Sequence, residues 1–478
     1  MAVVGAGIVG LSAALAFARA LPGAEVTLVD LPVDPAALAD RMPGALPTIH
    51  RFHAAIGIDE PDLVRRGIAL HHLGTRFENW SADGAPWFHA YGDHGVPAGP
   101  AAFHILWARA RRRGKARPFD RYAAGAALAE AGKFVHPSAD PNSPLASFLY
   151  GLRFDPDLYR ERLRSAADAL PIRWAKGMVA AVGRRADGGV AALVLDGGQR
   201  IEADLFIDCA GPSAPVRSKL DERFESWADA LPCDRLLIGR QADVGPPLPA
   251  DVVTALADGW RRLSGFPGGA IRVEAITGER EGGVALRPGC RPEPWLSNVL
   301  AVGDAAVAVD PLENANLHLA HSAILRALEL LPGRDCHPLE LREYNRRTEQ
   351  ETRGVRDFLA LHYLRSGRRD GRFWQGLAQR PVPSSLAHML EQFAARGRLP
   401  FREEESFDRH SWLAVLLGMG LLPDREDPIA GAVGDEEAEA AMERHARTLA
   451  TLPARLPTYP DYLARMVRAP ATSARPGT

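Results

Sequence analysis

The first thirty residues limit the fold more than any others. A short apolar run, Met1–Val4, leads into Gly5-Ala6-Gly7-Ile8-Val9-Gly10, and a stretch rich in Ala and Leu follows to about Ala20. A second apolar run, Glu25–Val29, ends at Asp30, 20 residues after the last glycine. Strand, glycine turn, helix, strand and acid in this order predict a dinucleotide-binding βαβ unit. Gly5 allows the tight turn, Gly7 lets backbone approach a pyrophosphate, and Gly10 lets helix pack on strand. The helix N-terminus then faces the phosphates, and Asp30 accepts hydrogen bonds from ribose hydroxyls. The opening strand is short for its place, so a start a few residues upstream is expected.

The same glycines set the apolar N-terminus apart from a signal peptide, which also needs a basic leading region. The apolar run Trp412–Leu422 is much shorter than the ~20 residues of a membrane span. It predicts a buried helix and no membrane partner. Lys and Arg number 57 against 59 Asp and Glu, a balance that argues against a nucleic-acid partner. Cys209, Cys233, Cys290 and Cys336 lie far apart and form no C-x-x-C. That spacing argues against a disulfide scaffold or a zinc ribbon, no metal site is expected, and the cytoplasm is the expected compartment. Only Lys115, Lys133, Lys176 and Lys219 are lysines, so any lysine chemistry has four candidates.

Further along, Arg160–Leu170 reads as an amphipathic helix. Val179–Val182 and Ala191–Leu195 read as a hairpin around Asp187-Gly188-Gly189. The basic run Arg109–Lys115 reads as a solvated helix face, and Leu205–Ile207 as a strand ending at Asp208. A second strand-plus-turn, Val299–Val302 into Gly303-Asp304, precedes a helix at about Leu317–Leu331. Arg342–Leu361 and Ser385–Ala395 have helical periodicity, and the Pro/Ser/Thr-rich tail after Ala469 reads as disordered. A late strand running into Gly-Asp resembles the FAD enzymes of the glutathione-reductase type, in which that carboxylate accepts from ribityl hydroxyls. With the N-terminal fingerprint this favours FAD over NAD, held by Gly5, Gly7, Gly10, Asp30, Gly303 and Asp304.

The expected fold class is therefore α/β. An FAD-binding Rossmann-like domain of glutathione-reductase type, with interleaved substrate-binding segments, precedes a helical C-terminal region. The first should span 1–340, with FAD segments at about 1–50, 150–215 and 290–335 and substrate-covering segments at about 51–149 and 216–289. The helical region should span 341–478.

Several segments recur in a fixed order: Arg76-Phe77-Glu78-Asn79-Trp80, Phe206-Ile207-Asp208-Cys209 with Gly211, Leu231–Arg235, Pro311-Leu312-Glu313, Arg356-Asp357-Phe358 with His362-Tyr363, and Ser411-Trp412 through Gly420-Leu421. On these the chain resembles the flavin-dependent tryptophan halogenases. The resemblance implies a partner flavin reductase that supplies reduced FAD. With O2 and chloride or bromide, hypohalous acid forms and travels to an indole. A lysine beside the indole hands over the halogen, assisted by a glutamate. The substrate class is a small aromatic, free or bound to a peptide or carrier.

The departures from the family pattern fall on the residues that define halogenation. Four residues before Arg76, where the catalytic lysine is expected, stands His72. The W-x-W-x-I-P element becomes Trp260-Arg261-Arg262-Leu263-Ser264-Gly265, and the flavin strap becomes Ala39-Asp40-Arg41-Met42-Pro43-Gly44-Ala45-Leu46. P-L-E-S-T-G becomes Pro311-Leu312-Glu313-Asn314-Ala315-Asn316, which keeps the glutamate and loses the Thr-Gly pair. A neutral imidazole is a weaker donor to hypohalous acid than an ammonium.

These changes favour a flavin-dependent monooxygenase that hydroxylates an indole or phenol. His72 is its base or hydrogen-bond partner, Glu313 orients the substrate, and Arg262 and Trp260 contact it. A halogenase in which His72 takes the lysine's part is the alternative, and a flavin-binding protein with degenerate catalysis is a third reading. Blander roles also stay open. His71-His72 reads equally as a surface pair, Glu313 as a helix cap, and Trp80, Trp260 and Trp412 as core.

Overall fold

The computed structural model describes residues 1–468 apart from Asp243 and Glu279, so the tail after Ala469 lies outside the described residues. Strand β1 (Ala2–Val4) has no polar residue because it has no solvent edge. It pairs in parallel with β2 (Val26–Asp30) on one side and with Phe206–Asp208 on the other. Val299–Ala301 and Ile172–Lys176 extend the parallel sheet outward, and Trp295–Leu296 closes one edge antiparallel. The central parallel strands are covered on both faces, which is why Ala2–Val4, Phe206–Ile207 and Val299–Ala301 are continuously apolar, whereas the edge strand Ile172–Lys176 exposes Arg173 and Lys176. Helix α1 (Ile8–Ala20) covers one face and buries every residue from Ile8 to Phe17. The hairpin expected at 179–195 forms as Val179–Arg184 against Val190–Leu195, with Arg200–Glu202 added as a third strand.

A second, seven-stranded sheet carries much of what lies between. Its central strand, Gly259–Phe266, pairs antiparallel with Asp251–Leu256 and Gly269–Ile276. Side chains alternate across a strand, so Trp260, Arg262, Ser264 and Phe266 all point to one buried face. Asp251–Leu256 pairs in parallel with Gly74–Glu78, which pairs with Trp87–Ala90. A small third sheet joins Gly44–Ala45, Gly151–Phe154 and Ala69–His72. The chain then turns helical, through Ala315–Glu329, the long Pro338–Leu364, Ser384–Arg396, Arg409–Gly418 and Tyr459–Arg468. Among the described residues no helix is long and apolar enough to cross a membrane.

Two readings change. His71 and His72 are not a surface pair, because both are wholly buried in the strand Ala69–His72. The basic run is solvated only in part. Arg109 turns inward, donating to the carbonyls of Ala430 (2.6 Å) and Val433 (2.9 Å), while Arg111–Arg113 stay exposed.

Candidate cofactor cradle and reaction centre

The three fingerprint glycines serve different ends. Gly5 has φ 104°, and a Cβ there would lie 2.8 Å from the Cys209 carbonyl oxygen. At Gly10 a Cβ would fall 1.7 Å from the Gly5 carbonyl oxygen, so helix and turn could not meet. At Gly7 the obstacle is a side chain, Asp40 Oδ1, at 2.2 Å. That oxygen accepts from the Val9 amide at 3.0 Å. The carboxylate thus sits on the first turn of α1, where unpaired amides favour an anion and where a pyrophosphate would lie.

Asp304 stands close by. Gly303, at φ 66°, turns the chain beside Val9, and Asp304 Oδ2 accepts from the Ala39 amide at 2.8 Å. Its Oδ1 is buried without a partner. Burial pushes Asp40 up to about 6, and burial with Asp40 alongside pushes Asp304 up to about 7. Asp30 lines an open groove of about 400 Å³ with Ala6 and Val33, and accepts from Arg164 at 2.8 Å. A second groove of about 540 Å³, lined by Asp40, Arg41 and Arg240, shares Val33 and Arg160 with the first. A glycine turn whose helix amides already bind one carboxylate, a free buried carboxylate oxygen and an open groove at Asp30 together fit FAD. The pyrophosphate would take the place of the Asp40 carboxylate.

The second cluster forms around the turn 310–316. Asp310 Oδ1 accepts from the Leu312 amide (3.0 Å) and Oδ2 from the Tyr363 hydroxyl (2.6 Å), which fixes the turn. Asn314 adopts the left-handed conformation, φ 58°, and the helix Ala315–Glu329 starts beyond it. Asparagine tolerates that conformation better than most residues. Glu313, wholly buried, has its Oε1 3.0 Å from His89 Nδ1 and 2.9 Å from His362 Nε2. Burial disfavours its charge, but the two imidazoles outweigh burial and hold Glu313 down at about 2. It does not cap the helix, since its bonds go to side chains.

His72 faces the same space. Its Nδ1 lies 3.4 Å from the Tyr91 hydroxyl and its Nε2 3.5 Å from Asp251 Oδ2. Burial pulls His72 down to about 4 against the opposing pull of Asp251, so the imidazole is neutral at pH 7. Arg153 donates to Asp251 at 2.9 Å, and Arg262 Nε lies 3.9 Å from it. Burial works against the Asp251 charge, yet His72 and the two guanidiniums keep its carboxyl below the ordinary range. Arg262 also donates to the Pro311 carbonyl at 2.8 Å, and its Nη2 lies 3.9 Å from the Met42 sulfur.

Unpartnered buried atoms concentrate here: His72 Nε2, Asp251 Oδ2, Arg262 Nε, Glu313 Oε2, Asn316 Oδ1 and both amide atoms of Asn314. Buried polar atoms are ordinarily paired. A cluster of exceptions marks a place for a ligand or ordered water.

Of the residues singled out in the sequence, Gly5, Gly7, Gly10, Gly303 and Asp304 meet at the first cluster, with Asp30 in the adjoining groove. His72, Glu313 and Arg262 meet at the second. Trp260 is core, with its indole N–H donating to the Tyr363 hydroxyl at 2.6 Å. Arg262 is wholly buried and bonded inward to the Pro311 carbonyl. Asp40, Tyr91, His89, Asp251 and His362 escaped sequence reading. Only His362, inside a recurring segment, and Asp40, inside the altered flavin strap, carried a signal.

The family model for tryptophan halogenases matches residues 1–262 and 272–435. The chain is 25% identical to tryptophan 7-halogenase KtzQ of Kutzneria sp. (strain 744), over 97% of each protein. It is 24% identical to tryptophan 7-halogenase RebH of Lentzea aerocolonigenes, over 94% of this chain and 96% of that one. Among solved structures it is similar to BrvH, a flavin-dependent halogenase from Brevundimonas sp. BAL3. That match has 31% identity, a TM-score of 0.90, and covers 97% of this chain and 98% of the other.

Proposed function

This chain belongs to the tryptophan halogenase family, and from that premise we propose that it is a flavin-dependent halogenase of an electron-rich aromatic ring, with His72 standing where a lysine is expected. The altered motifs favoured hydroxylation. The comparisons favour halogenation instead and give hydroxylation no support, so the order of the two readings is reversed. The observation that carries the proposal is Glu313, retained in an altered turn and kept ionised by His89 and His362, with Oε2 free.

Reduced FAD, when bound, supplies the electrons with which O2 oxidises chloride or bromide to hypohalous acid. Every other part belongs to the chain. The amides of α1 would hold the pyrophosphate, Asp30 the ribose, and Asp304 a ribityl hydroxyl. His72, neutral, accepts from the Tyr91 hydroxyl at Nδ1, and its unpartnered Nε2–H donates toward the oxygen of hypohalous acid. Glu313 Oε2 accepts a substrate N–H or O–H and stabilises the positive charge that develops on the ring under electrophilic attack. Exclusion of water around these groups strengthens both interactions. The partners are a separate flavin reductase and a small aromatic substrate, free or tethered to a peptide or carrier. The compartment is the cytoplasm. The working division keeps residues 1–340 as the cofactor and substrate unit and the rest as its helical cover.

Product mass spectrometry tests this. Purified protein is incubated with FAD, a generic flavin reductase, NADH and oxygen, with tryptophan, indole and small phenols, with and without bromide. A bromine isotope doublet that requires bromide is expected. Oxygen added to the substrate regardless of halide would restore the hydroxylase reading.

A further inference from the structure

On the strand Ala69–His72, neighbouring side chains point to opposite faces. His72 faces the reaction centre, so His71 faces away from it, into a second polar cluster. There Glu60 Oε1 lies 3.2 Å from His71 Nε2 and 3.2 Å from His136 Nε2. His50 Nδ1 lies 3.1 Å from the other carboxylate oxygen. Glu60 Oε1 and the two Nε2 atoms of His71 and His136 all fall within 4.8 Å of one another.

Each imidazole gives its far nitrogen to an oxygen. His71 Nδ1 lies 3.1 Å from the Tyr459 hydroxyl, His136 Nδ1 2.9 Å from the Tyr462 hydroxyl, and His50 Nε2 2.9 Å from the Tyr150 carbonyl. The His71 ring stacks on Phe134 at 3.9 Å. Metal-ligating histidines are held this way, one nitrogen on the ion and the other on an oxygen that fixes ring and tautomer.

We propose that Glu60, His71 and His136 form a binding site for a divalent transition ion of the zinc type, with His50 bracing the second oxygen of Glu60. Two imidazoles and one carboxylate suit zinc, whereas calcium and magnesium demand oxygen donors. The 3.2 Å separations match the edge of a tetrahedron around an ion bound at about 2.0–2.1 Å. The Tyr150 hydroxyl donates to both carboxylate oxygens of Glu60, at 3.3 Å to Oε1 and 3.0 Å to Oε2. His136 is half-exposed and gives the ion a way in. No metal-ligand spacing was legible because the three ligands come from a short helix, a strand and a loop, at positions 60, 71 and 136. Tyr459 and Tyr462 belong to the last described helix. An ion here would pin that helix over the strand that ends in His72.

The test uses tag-free, chelator-treated full-length protein. Cobalt titration should develop visible d–d absorption with one equivalent, zinc should displace it, and zinc should raise the thermal midpoint. His136→Ala should remove the spectrum and the thermal shift. Tyr462→Phe, which leaves the ligands in place, should weaken cobalt binding by about tenfold. Exposed His388→Ala should change neither. A titration without absorption or thermal shift would overturn the proposal, as would one that His136→Ala leaves unaltered. FAD binding is not expected to respond, so failure here leaves the halogenase reading untouched.

Discussion

The nucleotide end and the reaction centre solve the burial of charge in opposite ways. At the nucleotide end, Asp40 and Asp304 are buried with backbone amides for partners, and burial pushes them up to about 6 and 7. At the centre, Glu313 and Asp251 are equally buried but face imidazoles and guanidiniums, which keep them charged. The first region offers backbone donors, with arginines along the adjoining grooves and none hydrogen-bonded to Asp40 or Asp304, as suits a cradle awaiting an anion. The second carries its own counter-charges and keeps spare lone pairs, as suits chemistry in which charge develops on a substrate.

The sharpest way to break the comparison is Gly7→Val. A branched side chain where even a Cβ meets the Asp40 carboxylate should abolish FAD binding, read as flavin stoichiometry after gel filtration. Retained flavin would mean that the cradle is misidentified. His72→Ala should do the reverse, lowering product formation about 100-fold or more while flavin stoichiometry stays intact. Unchanged turnover would place His72 outside the mechanism. Asp40→Ala empties the first turn of α1 and should tighten FAD binding about tenfold, worth about 1.4 kcal/mol. Weaker binding would show that Asp40 organises the cradle rather than occupying it.

The smallest effect lies in the pH dependence of stability without cofactor. Asp40 and Asp304 have folded-state values above the ordinary 3.8, so their contribution is complete below pH 3.8 and is lost as pH rises through 6 and 7. Glu313 and His72 have folded-state values below the ordinary ones. Their contribution is complete above 4.5 and 6.5 respectively and is lost as pH falls through 2 and 4. Asp304→Asn should therefore lose less thermal stability than the parent between pH 5 and pH 8. A parallel pair of melting curves would contradict the charge assignment at the nucleotide end.

Legibility in the sequence follows the same division. Gly5, Gly7 and Gly10 matter through local backbone geometry, so their spacing alone singled out the turn. The parallel core was legible because strands covered on both faces are apolar throughout. The centre is assembled by long-range pairing. His89 reaches Glu313 across 224 positions, and Asp251 comes beside His72 only because its strand pairs in parallel with Gly74–Glu78. No window of sequence contains those relations. His71 and His72 were open to misreading for a related reason: a strand of four residues, wholly buried, has no polar alternation to reveal which face is which.

The cysteines bear on the lifetime of such a catalyst. All four are buried, and burial raises every one of their thiol pKa values, that of Cys290 to about 12 and those of Cys209 and Cys233 well above the ordinary range. Oxidants attack the thiolate, and attack it where it is exposed. Under the proposed chemistry, hypohalous acid made in the interior would meet no cysteine thiolate among the four, which favours its reaching the substrate.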